Sequence, residues 1–496
     1  MEKTEIFSQS LHPTHDWLRK IHLAYVPNIE DPRLTKLIQP LLDRFAELGH
    51  VVSDPPIPET EVILTSAEFG KPMSWRKGLL FLARRKFGLK RTPVVYTFVT
   101  ASNAQFNEMM THFGSALAKQ PRDTQDFQFD GLSNTAHRVL IEQGDRGGPI
   151  LSLQRLLQAQ TKSIRVLLAV GDEEIERLYH FDLVGAYPVS EISMGDSFFT
   201  DVALRVVTTE STREITDHRV LEDPIPLETW QGLSAPEAMR FAGQELGARN
   251  FFTEMVRIED LVHVPAVNDA VADQYSEGCF ATWSPQLNAL IATVTGSARP
   301  VDKGNIEDKD LAVITGVRSD GLGAEVRHVH GKENDPPSSE AVEMMDMDEL
   351  LPQVDHETLG GVSRKVPVIR SKLHGHRAVR AYDPNLVEFV PLDAAYYHYL
   401  VSCATQAQAV GIKAAFSRAE SLLNPDDPRQ VAFTVLPGHG LVAVEKWQDD
   451  KKPLQLLWEY MDEGKLEIDS HIPQGMMHYE NEDDGRMHLR KQEVPL

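Results

Sequence analysis

The chain has 496 residues, and its 73 Asp and Glu residues outnumber its 50 Lys and Arg residues to give a net charge of −23. This acidity argues against nucleic-acid binding, which needs a basic surface, and no apolar stretch reaches the ~20 residues that cross a bilayer. The N-terminus lacks the apolar run of a secretory signal, and two cysteines cannot build a disulfide framework. We therefore expect a cytoplasmic protein of more than one domain, with no nucleic-acid or membrane partner.

Strand-like and helix-like segments alternate in the N-terminal third of the chain. Apolar runs predict strands at residues 22–26, 62–64 and 94–99. A stripe of apolar residues from Leu34 to Leu48 predicts a helix, with a kink or break at Pro40. Because alternation of this kind is typical of a parallel sheet covered by helices, we predict a Rossmann-like α/β domain over residues 1–162.

A second doubly wound α/β unit is predicted over residues 163–325. Its expected elements are strands at 164–170 and 201–209 and helices at 235–247 and 287–294. The first of these helices begins with the capping-box pattern Ser234-Ala235-Pro236-Glu237.

Short β-like runs dominate the remainder, residues 326–496, with one expected helix at about 404–423. Within this region the acidic segment 332–358 is predicted to be a surface loop or a covering segment. The predicted fold class is therefore α/β, with two Rossmann-like doubly wound domains followed by a β-rich C-terminal domain and a polar tail.

Several common catalytic signatures are absent from the sequence. It contains no P-loop motif, no Gly-rich dinucleotide loop after the first strand and no G-x-S-x-G nucleophile turn. Cys279 is close to Glu277, and a nearby carboxylate raises the pKa of a thiol. We therefore predict that Cys279 is a buried small hydrophobe and not a nucleophile.

Carboxylates and histidines beside glycines are the strongest candidates for a functional site. Glu277 lies in a Glu-Gly turn, and Asp302 follows 302 − 277 = 25 residues later. Histidines occur as His328-Val329-His330, as His374-Gly375-His376, and as His439 between Gly438 and Gly440. Carboxylates combined with imidazole suit Mn²⁺, Mg²⁺, Fe²⁺ or Zn²⁺.

Each candidate also has a purely structural interpretation. Glu277 is equally compatible with a helix cap or an ion pair with Arg299. The glycines around His439 are also those of a tight turn. A single His-x-His pair is common without any metal, so the sequence leaves both interpretations open.

The order of these features resembles the L-fucose/L-arabinose isomerase family. In that family two Rossmann-like domains precede a β-rich domain, and Mn²⁺ is held by a Glu in a Glu-Gly turn, a later Asp and a late His. Glu277 resembles the first ligand, Asp302 the second and His439 the third, with His330 as a rival third ligand. By motif the resemblance covers only Glu277 to Asp302, and Cys279 stands where the family often has Asp.

The resemblance implies a homo-oligomeric, metal-dependent aldose–ketose isomerase that acts on a sugar through an enediol. Glu277 and Asp302 would serve both as metal ligands and as general acid/base groups. The implied cofactor is a divalent cation, Mn²⁺ first. The side chains that would bind the sugar are those of Arg299, Lys303, His376 and Arg377.

Two other functions remain open at this point. A non-catalytic carbohydrate or small-ligand binding protein would use the same α/β clefts without a metal. A metal-dependent hydrolase or lyase would use the His-x-His pairs as ligands.

Overall fold

The computed structural model describes most of the chain. The described residues are 20–69, 86–108, 111, 165–181, 186–188, 195–210, 215–252, 278–295, 301–332, 335–357, 361–375, 378–392, 404–436, 440–448, 450–469, 479–481 and 487–489.

The first sheet lies in the N-terminal part of the chain. Its strands are β1 (His22–Tyr25), β2 (Val51–Ser53), β3 (Val62–Glu68), β4 (Val94–Ala101), β5 (Arg165–Val170), β6 (Arg177–Phe181) and β7 (Ala186–Pro188). They are arranged in the order β2-β1-β3-β4-β5-β6-β7. Strands β1 to β5 run parallel, whereas β6 and β7 are antiparallel to their neighbours. The predicted parallel sheet is thus confirmed.

Two of the helices that pack on this sheet are α1 (Pro32–Glu47) and α2 (Asp196–Glu210). The Asp31 carboxylate accepts the N–H of Arg33 at 2.9 Å and caps α1, whose apolar stripe is buried. Pro40 lies inside α1, and the helix nevertheless continues to Glu47. The break that Pro40 suggested therefore does not occur.

Helix α2 occupies a segment where we expected a strand, at 201–209. Val202, Ala203, Val206 and Val207 are buried in the core beneath the sheet. Their spacing of four residues is that of one helix face. The β-branched composition misled the prediction, because packing of this face outweighs the weak intrinsic preference of valine for strands.

The second sheet is larger and mainly antiparallel. Its strands are β8 (Arg219–Val220), β9 (Cys279–Ser284), β10 (Ala289–Thr293), β11 (Leu311–Val317), β12 (Ala324–Arg327), β15 (Ile369–Gly375), β17 (Val387–Phe389), β18 (Val431–Leu436) and β19 (Gly440–Lys446). They follow the order β17-β18-β19-β15-β9-β10-β11-β12-β8. Only the β8–β12 and β17–β18 pairs are parallel.

The division of the strands between these two sheets differs from the predicted domain boundaries. Strand β5, expected to open a second doubly wound unit, pairs with β4 in the first sheet. Strands β9 to β12 belong to the same antiparallel sheet as β15 and β19, on the far side of residue 325. The α/β class is confirmed, but the described residues hold one mainly parallel sheet rather than two, because β9 to β12 are linked without the helical crossover that a parallel pair needs.

Strand β10 replaces the helix expected at 287–294. Asn288 has a φ of 50° in the turn between β9 and β10, a left-handed conformation that Asn tolerates. Leu290 and Ala292 pack into the core on one face of the sheet, whereas Ala289 and Ile291 pack on the other. A strand buried on both faces has no polar alternation, so its apolar run was mistaken for a helix.

Helices cover both faces of the second sheet. These are α3 (Leu227–Gln231), α4 (Ala235–Ala248), α5 (Ala341–Asp346), α6 (Gln406–Phe416), α7 (Glu420–Leu423) and α8 (Gln455–Asp462), with a 3-10 helix at Asp308–Asp310. Helix α4 packs on one face and α5 on the other. The acidic segment 332–358 is thus a covering segment, because Ala341, Val342 and Met344 of α5 are buried.

Among the described residues, three strand pairs lie outside the two large sheets. They are β13 (Gln353–Glu357) with β14 (Ser363–Pro367), β16 (Ala378–Tyr382) with β20 (Leu466–Asp469), and β21 (Tyr479–Asn481) with β22 (Met487–Leu489). Within the described ranges, no helix has the length and apolar character needed to cross a membrane.

Candidate functional site

One end of the second sheet gathers the chain segments that flank most of the candidate residues. His374 of β15 is paired with Cys279 of β9, and Gly375 is paired with Leu441 of β19. Strand β10 is antiparallel to β9 and therefore finishes where β9 begins. We call this end, marked by Gly278, Gly375 and Gly440, the site end of the sheet.

Two glycines allow β9 and β15 to approach closely at the site end. Gly278 has a φ of +83°, and a Cβ placed on it would lie 2.5 Å from the His374 carbonyl oxygen. A Cβ on Gly375 would overlap the ring of Phe251. A side chain at either position would therefore displace backbone or an aromatic ring.

Several candidate residues lie outside the described residues. They are Glu277, Arg299, His376, Arg377 and His439. Three of them are bonded directly to described residues of the site end, since Glu277 precedes Gly278, His376 follows Gly375 and His439 precedes Gly440.

Asp302 lies in an exposed turn after β10. Its Oδ1 accepts the N–H of Gly304 at 2.9 Å, and its carbonyl accepts the N–H of Asn305 at 3.0 Å. This turn packs closely on α4, because a Cβ on Gly243 would lie 2.6 Å from the Lys303 carbonyl oxygen. The carboxylate thus has a local structural partner and still reaches solvent.

Lys303 connects this turn to the site end. Its side chain is buried, with 3% of the residue exposed. Its positive charge lies close enough to Cys279 to oppose the rise in the pKa of that thiol. The turn that contains Asp302 therefore also places the positive charge of Lys303 close to Cys279 on β9.

His330 lies elsewhere on the sheet. It follows β12, and its N–H donates to the Ile225 carbonyl at 2.7 Å while its side chain is exposed. Strand β12 is three strands from β9 in the sheet, a separation of roughly 14 Å at the usual spacing. His328 shares this position, and its carbonyl accepts the N–H of Ile225.

A buried polar cluster lies against β9 and β15 on the face covered by α5. His374 is fully buried, with Nδ1 at 3.1 Å from the Leu441 carbonyl and Nε2 at 3.4 Å from Glu340 Oε1. Since a carbonyl only accepts hydrogen bonds, Nδ1 carries a proton. Ser338 in turn donates to Glu340 Oε2 at 2.8 Å.

Glu343 of α5 extends this cluster. Its Oε2 accepts a hydrogen bond from Gln408 of α6 at 2.8 Å, and only 1% of the residue is exposed. Burial, together with the charge of Glu340, holds the pKa of Glu343 well above its ordinary value. Sequence reasoning missed Glu340 and Glu343 because they lie in an acidic segment, where carboxylates are usually solvated.

Cys279 faces the same cluster and is fully buried. Burial, and then the charges of Glu340 and Glu343, raise the pKa of the thiol well above its ordinary value. Its sulfur lies 3.7 Å from Met344 Sδ. Cys279 is therefore a protonated thiol packed in the core, as predicted.

A buried ion pair lies two residues before His374 on β15. The Lys372 ammonium donates to the Asp348 carboxylate and to the Met344 carbonyl, and the side chain is completely buried. Burial lowers the pKa of Lys372 and raises that of Asp348, while their mutual attraction opposes both shifts. This pair fixes the segment after α5 to the sheet.

The first sheet carries a second group of polar residues, at the ends of its parallel strands. Its order β2-β1-β3-β4-β5 places the reversal of strand order at β1 and β3, where ligands bind in such folds. Here Arg33 pairs with Asp31 at 2.7 Å and donates to the Gly171 carbonyl at 2.6 Å. These contacts join the segment after β1 to the residue that follows β5. The Arg33 guanidinium therefore has a structural role.

No protein-family model matches the chain, and no curated protein or solved structure matches it either. Within the described ranges there is also no group of three or more His, Cys, Asp and Glu side chains placed to hold a metal ion. Of the expected ligands, only Asp302 and His330 belong to those ranges.

Proposed function

We propose that the protein is a divalent-metal-dependent aldose–ketose isomerase whose site lies at the site end of the second sheet. One observation supports this proposal above all. The pairing of His374 with Cys279 and of Gly375 with Leu441 brings together three chain segments that are distant in sequence. Each of these segments continues directly into a candidate residue.

Covalent geometry makes the support quantitative. Consecutive Cα atoms are about 3.8 Å apart. The Cα atoms of Glu277 and His439 are therefore each within that distance of Gly278 and Gly440. Those two glycines flank the end of β15 on either side. Strands β9 and β19 are separated by β15 and are thus two strand spacings apart, roughly 10 Å. We propose that the side chains of Glu277 and His439 bind one ion across this gap.

The proposed metal ligands are Glu277, Asp302 and His439. Two carboxylates with one imidazole are a mixed oxygen and nitrogen set that suits Mn²⁺ first, and also Mg²⁺, Fe²⁺ or Zn²⁺. His439 is preferred to His330 as the third ligand, because His330 follows a strand three positions away from β9.

The isomerisation moves the C2 proton of the aldose to C1 and the proton of the C2 hydroxyl to the carbonyl oxygen. A divalent cation held by Glu277, Asp302 and His439 would supply Lewis-acid stabilisation of negative charge on the substrate oxygens. Glu277 or Asp302 moves the proton as a general base and then as a general acid. Arg299, His376 and Arg377 bind the sugar hydroxyls, whereas the buried Lys303 contributes only its positive charge.

The proposal is tested by metal content and by catalysis together. Purified protein, stripped with a chelator and reloaded with Mn²⁺, is assayed for its melting temperature and for conversion of a panel of aldoses to ketoses. A ligand of the native state at 100 times its Kd stabilises by about 2.7 kcal/mol. Mn²⁺ is therefore expected to raise the melting temperature, and the reloaded protein is expected to convert at least one aldose.

Matched variants distinguish Mn²⁺ binding at the proposed ligands from nonspecific binding to acidic side chains. Glu277→Gln and Asp302→Asn are expected to lose the Mn²⁺ effect and the activity. Glu222→Gln removes an exposed carboxylate next to β8 and is expected to keep both. If no divalent cation is bound or can be restored, the isomerase proposal is wrong.

The alternatives give different results in the same experiment. A carbohydrate-binding protein would be stabilised by a sugar without metal and without turnover. A metallohydrolase that uses the His374 and His376 pair is disfavoured, because His374 is completely buried and its Nδ1 is engaged with the Leu441 carbonyl.

A further inference from the structure

A cleft of about 640 Å³ opens at the opposite end of the second sheet from the site end. It lies between the β9–β10 turn, the β11–β12 turn, α5, α6 and the β13–β14 hairpin. Its volume is within the range of pockets that enclose small molecules, roughly 300–1,000 Å³. Trp283 of β9 is five residues beyond Gly278, so the cleft lies roughly 17 Å from the site end.

The cleft has one apolar wall. Val342 and Met345 of α5 and Val410 of α6 contribute to it, and 49% of Val410 is exposed. Apolar side chains that line a concave surface of this size favour a ligand with an apolar side.

Two polar atoms in the cleft lining are unsatisfied. Trp283 Nε1 and Asp348 Oδ1 are buried, and neither has a hydrogen-bond partner among the residues that the structure describes. Trp283 is 8% exposed and the Asp348 side chain 9%. An unpaired buried donor and an unpaired buried acceptor are each costly. A ligand that forms a hydrogen bond with each of these two atoms would recover that cost.

The charges of the lining restrict the ligand further. Four carboxylates line the cleft against two cationic side chains, the carboxylates being Asp320, Asp346, Asp348 and Glu349 and the cations Arg318 and Lys365. Each of these carboxylates is ion-paired, Asp320 with Arg318, Asp346 and Glu349 with Lys413, and Asp348 with Lys372. Little net charge therefore remains to attract a phosphate, a carboxylate or an ammonium ion. A hydroxyl group donates one hydrogen bond and accepts others, so hydroxyls match both the Asp348 acceptor and the Trp283 donor.

We infer that this cleft binds a neutral polyol, either a sugar or a sugar alcohol. Its hydroxyls pair with Trp283 Nε1 and Asp348 Oδ1, and its C–H face packs on Val342, Met345 and Val410. Trp283 and Asp348 both line the cleft, and we expect a shift of its side chains to bring the ligand to these two buried atoms. The inference does not depend on the isomerase proposal, because the two sites lie at opposite ends of the sheet.

The indole N–H of Trp283 is a direct probe of this binding. The full-length protein is labelled with ¹⁵N on its six tryptophans, and Trp283→Phe identifies the resonance of interest. Sorbitol and glucose are titrated to roughly 10 mM, ten times a Kd of 1 mM. Glucose 6-phosphate and n-butylamine are titrated as anionic and cationic probes. We expect sorbitol or glucose to shift the Trp283 signal and the two charged probes to leave it unchanged.

Two surface variants complete the test. Val410→Arg places a long side chain in the mouth of the cleft and is expected to weaken polyol binding by at least about tenfold. Leu423→Arg alters an equally exposed position on α7 and is expected to bind normally. A Trp283 signal that no neutral polyol shifts, or that only the amine shifts, overturns the inference, as does normal binding by Val410→Arg. The response to Mn²⁺ is expected to be the same in both variants, which keeps this test separate from that of the isomerase.

Discussion

Gly278 and Gly375 lie side by side where β9 begins and β15 ends. A Cβ on Gly278 would lie 3.3 Å from the Cα of Gly375 and 2.5 Å from the His374 carbonyl oxygen. Each glycine also directly adjoins a candidate site residue, Glu277 or His376. The close approach of the two backbones therefore sets the separation of the segments that carry the proposed chemistry.

Alanine substitutions at these glycines are expected to destabilise the protein for different reasons. Gly278→Ala combines a left-handed φ, which costs about 1–2 kcal/mol, with a backbone clash that costs about 1–3 kcal/mol more. Gly375→Ala only overlaps the Phe251 ring, so Phe251→Leu is expected to rescue it in part. The free energy of unfolding, measured in urea, reports each loss.

Gly331→Ala isolates the backbone contribution in this comparison. Gly331 has a φ of +73°, and a Cβ placed on it would meet no atom within 4 Å. The free energy of unfolding of this variant is expected to fall by about 1–2 kcal/mol, which is the cost of the left-handed conformation alone. Equal losses in Gly278→Ala and Gly331→Ala would show that the His374 carbonyl imposes no constraint.

Local patterns predicted much of the first sheet. The apolar runs of β3 and β4 are buried along their whole length, so composition alone identifies them as parallel-sheet strands. The pairing of the site end was not predictable in this way. Gly278 and Gly375 are far apart in sequence, and no local signal encodes a non-local register.

The buried carboxylates illustrate the same limit. Glu340 and Glu343 lie in an acidic segment that resembles a solvated loop, yet their partners His374 and Gln408 are on β15 and α6. Burial of a charge depends on such tertiary partners and not on its sequence neighbours. Glu277 and His439 could be selected only because glycines adjoin them, and their role stays a prediction.

Glu445 on β19 is expected to make stability depend on pH. It is completely buried, and burial raises its pKa from 4.5 to about 8, although the nearby charge of Arg370 opposes the shift. Between these values the folded protein binds more protons than the unfolded chain, so its stability falls as pH rises. The expected slope for this group approaches about 1.4 kcal/mol per pH unit.

Glu445→Gln removes this titration. Unfolding free energies measured in urea from pH 5 to 9 are expected to decline less steeply in this variant than in the wild type, with the largest difference above pH 8. Glu222→Gln serves as the control and is expected to follow the wild type. Parallel pH profiles for the wild type and Glu445→Gln would show that this carboxyl titrates normally.

The buried pair of Lys372 and Asp348 is expected to be strongly coupled. Removal of one partner leaves an uncompensated buried charge, which costs about 3–5 kcal/mol. Lys372→Met and Asp348→Asn are therefore each expected to be severely destabilising, and the double variant less so than the sum. A double-mutant cycle in urea measures the coupling energy.

An exposed ion pair provides the comparison for that cycle. Lys365 and Asp355 are 2.9 Å apart, but their side chains are 60% and 68% exposed. Lys365→Met is expected to cost less than about 1 kcal/mol. If the losses of unfolding free energy at Lys372 and Asp348 are additive and as small as the loss at the exposed pair, the buried salt bridge is contradicted.

Cys279 is expected to resist thiol reagents in the folded protein. Its sulfur is buried and its pKa is well above the ordinary value, so little thiolate forms and the reagent has no access. In a Cys403→Ser variant, which leaves Cys279 as the only thiol, labelling by a disulfide reagent at pH 8 is expected to be slower than in denaturant. The expected factor is on the order of 1,000 or more, because the reaction must await opening of the core. Complete labelling in denaturant verifies the reagent, and equally fast labelling of the folded protein would place Cys279 at an accessible surface.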